Sequence, residues 1–267
     1  MPTYRIIDVH THIFPEKIAR KAVESVCRFY GVKTERSALP DDADAAARAC
    51  GIERSLVFST ATAPRQVRSI NDFIHAECGK HPAFIGLGTL HPDMEDPAAE
   101  IERIRALGLH GVKLHPDFQD FAVDDPRMLP VYRLLARARL PVLIHMGDPR
   151  RDLSSPARLA RLLDAVPELR VIAAHFGGWS VWDEAVRLLA GSGAWFDTSS
   201  TIGFVGKEKA REMIARYGVD RLLFGTDYLM WDIGEELDRF FSLGLSEEDN
   251  RLILAGNLER AFPEMLA

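Results

Sequence analysis

Cysteine is scarce in this chain. Cys27, Cys50 and Cys78 are the three present in 267 residues, an odd number with no CxxC spacing. That argues against a disulfide framework and against a thiolate metal cage, and fits a reducing compartment. Basic residues are not in excess either. Lys and Arg number 33 against 39 Asp and Glu, a net charge of −6, so a nucleic-acid surface is not expected. Long apolar runs are also missing. None approaches the roughly 20 residues that a membrane helix needs, and no basic segment followed by an apolar one opens the chain as a secretory signal would. The expectation is a cytoplasmic protein with neither membrane nor nucleic-acid partners.

What is present is alternation. Short runs rich in Val, Ile, Leu and Phe alternate with longer segments of helical period, the signature of repeated strand–helix units around a parallel sheet. The strands are expected at Arg5–His10, Ser55–Thr60, Phe84–Leu90, Gly111–His115, Pro141–Met146, Arg170–His175, Ala194–Thr198 and Arg221–Thr226, each buried on both faces. Helices are expected at Pro97–Leu107, Met128–Arg139, Pro156–Val166 and Lys207–Tyr217. Two stretches exceed this unit. A long first helical region runs from Pro15 to about Cys50 through a polar break at residues 39–42, and a last helix runs from Ser246 to Phe262. Eight units in about 250 residues match an α/β fold of the (β/α)8 TIM-barrel type, although a doubly wound open sheet gives a similar pattern. No linker or boundary divides the chain, so one domain over residues 1–267 is expected.

Chemistry on a barrel is placed at the C-terminal strand ends. Those ends read His10-Thr11-His12, Lys113-Leu114-His115, His145-Met146-Gly147, His175-Phe176-Gly177 and Gly225-Thr226-Asp227. Residues i and i+2 of a strand share a face, so His10 and His12 can offer two imidazoles to one ion. His145 adds a third nitrogen and Asp227 a carboxylate. Three imidazoles and one carboxylate suit zinc best among divalent ions, with manganese, iron or cobalt also compatible. An open position would remain for a water made nucleophilic by the ion. His175 is then free for acid–base work. Asp8 would orient a ligand or anchor the loop, while His75, His81, His91 and His110 read as structural or solvated.

DVHTHIFP, GVKLHP, LIHMG, AAHFGG, FGTDY and the near-terminal GNLERAF, in this order, resemble the amidohydrolase superfamily. The likeness is to its branch containing aminocarboxymuconate-semialdehyde and resorcylate decarboxylases. It covers essentially the whole chain and implies a distorted (β/α)8 barrel. It also implies metal ligands at His10, His12, His145 and Asp227, and a catalytic histidine at His175.

Lys113 occupies the position where other branches carry a carboxylated lysine bridging two metals. In this branch the site is mononuclear, so Lys113 is read as pairing with a carboxylate or with an anionic substrate. His115 is a second candidate substrate contact. Arg150 and Arg151 after strand five and Arg65 after strand two are candidate recognition arginines. Trp179, Trp182, Tyr228 and Trp231 are candidate pocket walls. The same residues serve two reactions on a small-molecule substrate. One is hydrolysis of a small carboxylated or cyclic compound, with Asp227 and His175 moving the proton; the other is non-oxidative decarboxylation of an aromatic or unsaturated acid. The compact chain, with only residues 15–50 available as a cover, favours the hydrolase. A barrel that binds without turnover is a third reading, and a homodimer is compatible with the branch.

Overall fold

The computed structural model describes residues 4–266. Among the described residues, nine parallel strand segments form eight staves: β1 (Ile7–His12), β2 (Arg54–Phe58), β3 (Phe84–Gly86), β4 (Gly88–Thr89), β5 (Val112–Leu114), β6 (Val142–Ile144), β7 (Val171–Ala173), β8 (Trp195–Asp197) and β9 (Leu222–Leu223). β1 to β3 pair in order, and so do β4 to β9. The expected strand at Phe84–Leu90 is one stave cut at Leu87, because it changes partner there: Leu87 N–H donates to Val57 O, whereas Gly88 N–H donates to Gly111 O. The other gap closes where Val9 N–H donates to Phe224 O and His12 N–H to Tyr228 O. The doubly wound alternative is thereby excluded.

Alternation along the staves sorts two apolar layers. Ile7, Val9, Leu56, Phe58, Ile85, Leu87, Leu143, Ile172 and Leu223 fill the barrel. Their neighbours Ile6, Val57, Val112, Val142, Val171 and Leu222 pack outward against the helices. The last helical stretch plugs the bottom of the barrel through Leu258, Phe262 and Met265. It is not one uniform α-helix, since residues Leu252–Gly256 form a π-turn between Glu247–Arg251 and Asn257–Ala261. Within that turn, Ile253 C=O accepts a hydrogen bond from Phe224 N–H, tying the helix to the last stave.

The first helical region divides earlier than expected. Helix α1 (Glu16–Tyr30) stops at Gly31, which caps it in the left-handed region at φ 69°, a backbone geometry that glycine adopts at little cost. Helix α2 starts only at Pro40 and runs to Ala49. Of its 15 residues α1 buries only Ala19, because it lies across the mouth of the barrel instead of along its side.

Candidate active site

Period-two continuation of the inner layer carries chemistry to the mouth. On β5 the inward residue is Lys113, between the outward Val112 and Leu114. Beyond Leu143 it is His145, beyond Trp195 it is Asp197, and beyond Leu223 it is Asp227. On β1 the parity shifts. A bulge between Asp8 and Thr11 lets Ile7 and Val9 face the barrel while His10 also reaches the mouth. Asp8 holds that bulge, its Oδ1 accepting His10 N–H (2.9 Å) and Thr226 N–H (3.0 Å) and its Oδ2 accepting the Thr226 and Thr11 hydroxyls. The turns past the last staves are strained. His175, Ser200 and Asp227 all take positive φ, at 60°, 49° and 59°, a conformation kept in non-glycine residues when their surroundings enforce it.

Neighbouring acceptors fix which nitrogen of each histidine carries hydrogen. His10 Nδ1 lies 2.8 Å from an Asp197 carboxylate oxygen, so Nδ1–H donates and Nε2 keeps its lone pair. That Nε2 is 3.5 Å from Asp227 Oδ1, which is also 3.3 Å from His12 Nε2. His145 Nε2 faces the Gly147 carbonyl at 3.1 Å, leaving Nδ1 as the free nitrogen. His175 Nδ1 faces Ser199 O at 3.3 Å and Ser199 Oγ at 2.8 Å, leaving Nε2. The two free nitrogens, His145 Nδ1 and His175 Nε2, stand 3.0 Å apart. Two lone pairs at that distance need a proton or a cation between them. The ligand atoms of His10, His175 and Asp227 also come within 4.8 Å of one another, and those of His115, Asp117 and His145 form a second such group. Donors suited to a divalent ion are therefore present, in groupings that differ from the expected set of His10, His12, His145 and Asp227.

Burial pushes His10, His12, His115, His145 and His175 below the ordinary imidazole value, keeping them neutral as ligands must be. Burial alone would raise Asp227, but protons on His10, His12 and His175 and the His12 hydrogen bond favour its carboxylate, and the balance lies well below the usual range. Lys113 is fully buried. Its ammonium is lowered to about 8 by burial, with Asp197 and Asp227 acting in the opposite sense. Its Nζ lies 3.2 Å from His10 Nε2 and 4.6 Å from the Phe58 ring centre, and among the described residues no carboxylate forms an ion pair with it.

A cavity of about 650 Å³ opens over this cluster. Its floor includes His12, Lys113, His145, His175 and Asp227, and its walls carry Phe118, Trp179 and Trp231. The roof is α1, whose Ile18, Ala22, Val26, Phe29 and Tyr30 face inward at helical spacing. Tyr30 Oη reaches His115 Nε2 (2.9 Å) and His145 Nε2 (3.1 Å).

The three candidate arginines do not reach this cavity, and among the described residues no arginine lines it. Arg65 is exposed in the short turn Pro64–Gln66. Arg151 is held by the Asp120 carboxylate and the Asp117 carbonyl. Arg150 pairs with Asp148 at 2.6 Å, covers the Phe29 ring at 4.4 Å and donates to the Phe29 carbonyl. It therefore fastens the C-terminal end of α1, where a cation also meets the helix dipole favourably. Trp182 and Tyr228 are likewise occupied elsewhere, by the His175 and Ser37 carbonyls. His115 and Lys113 do line the cavity.

Sequence reading missed Tyr30, Asp197, Ser199 and Ser200, whose hydroxyl donates to Asp227 Oδ2 at 2.5 Å. Asp197 closes a strand in the run AWFDTSS, so its position alone could have marked it. Gly147 is required for a reason the sequence hid: at φ +86°, a Cβ there would meet Trp179 N at 2.4 Å.

An amidohydrolase family model matches residues 7–263. The gamma-resorcylate decarboxylase of Polaromonas sp. (strain JS666 / ATCC BAA-500) is 25% identical over 266 residues, covering 77% of this chain and 78% of its own length. A dihydroxybenzoic acid decarboxylase structure from Polaromonas sp. JS666, with manganese and the inhibitor 2-nitroresorcinol bound, superposes with a TM-score of 0.74. It does so at 20% identity over 97% of each chain. A probable 2-pyrone-4,6-dicarboxylic acid hydrolase from Acinetobacter baumannii superposes with a TM-score of 0.71 at 16% identity, over 97% of this chain and 99% of that one. Fold alone thus accommodates both chemistries. With the family model spanning nearly the whole barrel, the chain belongs to the amidohydrolase family.

Proposed function

We propose that this protein is a metal-dependent, non-oxidative decarboxylase of a small aromatic carboxylic acid. The carrying observation is Lys113, a buried ammonium without a carboxylate partner, beside the histidine–aspartate cluster on the floor of an aromatic-walled cavity. A buried charge is costly unless paired, and a carboxylate or phenolate oxygen of the substrate completes this one. The resemblance to resorcylate and dihydroxybenzoate decarboxylases supports a decarboxylase over the hydrolase that chain length favours. A short chain does not count against a decarboxylase, because α1, one helix, already roofs the cavity.

His10, His12, His145 and Asp227 would hold one divalent ion, with manganese, present in the related structure, as suitable as zinc. When bound, the ion draws electron density from the substrate oxygen and orients the ring. Lys113 neutralises the substrate's charge, and the aromatic walls exclude water from it. Asp227 or His175, after taking up a proton from solvent, would deliver it to the ring carbon bearing the carboxylate. The carbon–carbon bond then breaks, its electron pair restores the ring, and carbon dioxide leaves. The test is turnover of hydroxylated benzoates by manganese-loaded protein. Carbon dioxide released in step with the loss of substrate supports the reading. Hydrolysis of lactones or amides, with no carbon dioxide from any acid, overturns it.

A further inference from the structure

The roof helix brings a hydroxyl whose bonding leaves its hydrogen unspent. Tyr30 is the last residue of α1, and its Oη contacts two imidazole nitrogens, His115 Nε2 at 2.9 Å and His145 Nε2 at 3.1 Å. Both nitrogens are donors, for independent reasons. His115 caps the helix Pro116–Gln119, its side chain accepting from Phe118 N–H through Nδ1. A neutral imidazole that accepts at Nδ1 carries its hydrogen at Nε2. His145 Nε2 faces the Gly147 carbonyl, which can only accept, so that nitrogen also carries hydrogen. The phenol oxygen therefore receives the His115 N–H and shares the His145 N–H with the Gly147 carbonyl, and neither nitrogen is left to accept from it. Its own O–H has no acceptor within hydrogen-bonding distance among the described residues, and Tyr30 lines the cavity.

We infer that Tyr30 is a substrate-binding residue whose hydroxyl donates to a second acceptor oxygen of the substrate, separate from the carboxylate held at the histidine–aspartate cluster. The inference rests on the reading of the cavity as an aromatic-acid site. Geometry separates the two oxygens. Tyr30 meets His145 at Nε2, across the ring from the Nδ1 that faces His175. The preferred ligand therefore spans from the cluster to beneath α1 and carries oxygen at both ends, as a hydroxybenzoate or a benzene dicarboxylate does. Accepting these N–H groups also polarises the Tyr30 O–H, making it a stronger donor to an anion.

Calorimetry on manganese-loaded protein tests this, with benzoate as reference against the three monohydroxybenzoates and the three benzene dicarboxylates. In the wild type at least one of the six binds more tightly than benzoate by about 10- to 100-fold, the range for a hydrogen bond to a charged group. In Tyr30→Phe, which keeps the ring among Phe29, Phe118 and Trp179, that advantage falls to threefold or less while benzoate binding is unchanged. The inference is overturned if none of the six exceeds benzoate, or if Tyr30→Phe leaves the advantage intact. Weakening of benzoate and the favoured ligand alike overturns it too. A wild type that binds none of the seven acids fails the decarboxylase reading itself, a distinguishable result. Nitrogen-15 NMR of zinc-loaded protein is a second measure. His115 and His145 are expected as Nε2–H tautomers, and an Nδ1–H signal from either removes the basis of the inference.

Discussion

His145 Nδ1 and His175 Nε2 face each other across 3.0 Å, each with its other nitrogen already committed as a donor. The two rings are equivalent by distance but not by role in the mechanism proposed. His145→Ala is expected to weaken manganese binding by more than about 10-fold. His175→Ala should keep affinity within about threefold and lose at least about 100-fold in turnover, the scale of a lost acid–base group. Metal titration followed by single-turnover kinetics separates them, and the opposite pattern would exchange the two assignments.

Asp197 accepts from His10 Nδ1–H at 2.8 Å and so presents His10 Nε2. Partners of this kind contribute about 10- to 100-fold in metal affinity or activity. Asp197→Asn keeps the shape and loses the charge. Its manganese affinity is expected to fall by about 10-fold, read by equilibrium dialysis, with the fold unchanged by circular dichroism.

Lys113 gives a pH dependence. Its folded value of about 8 lies below the ordinary 10.5, so between those values the unfolded chain binds more protons and stability rises with pH. The cost of burying the charge is fully present below pH 8 and gone above about 10.5. In metal-stripped protein Lys113→Met is therefore expected to be more stable than wild type by up to about 3 kcal/mol at pH 7. The gap should close as pH rises through that window, and activity should be lost. Urea unfolding at pH 7 and pH 10 measures it. A gap that does not change with pH would contradict the assignment.

Arg150 fastens α1 through the Phe29 carbonyl and ring. Arg150→Gln should loosen the roof by about 1 kcal/mol, the scale of one hydrogen bond. Amide exchange in residues 16–30 would then be roughly fivefold faster, with the barrel amides unaffected.

Gly147 allows no side chain, since its φ is +86° and backbone atoms of Gly178 and Trp179 lie within 2.5 Å of any Cβ. Gly147→Ala is expected to cost about 3 kcal/mol or more, lowering Tm by roughly 6–12 °C in a thermal melt.

The barrel was legible because its strands are buried on both faces and read as unbroken apolar runs. The histidines and Asp227 were legible because strand ends are a fixed address. The arginines were misread for a physical reason. Sequence shows that a cation lies in a loop on the right side of the barrel, but not that Asp148 or Asp120 already neutralises it. Tyr30 was invisible because it arrives from a helix that leaves the strand–helix rhythm and turns over the mouth. The bulge in β1 was equally hidden, since alternation alone does not say where parity slips.

The roof of the cavity is one contiguous stretch ending at the α1 cap, whereas the reactive groups come from widely separated stave ends. The share of selectivity that α1 supplies can therefore change without altering the reactive groups themselves. Exchanging the segment from Pro15 to Leu39 between related barrels would change which acid is admitted while leaving the chemical step intact, so new substrates can be acquired here without rebuilding the centre.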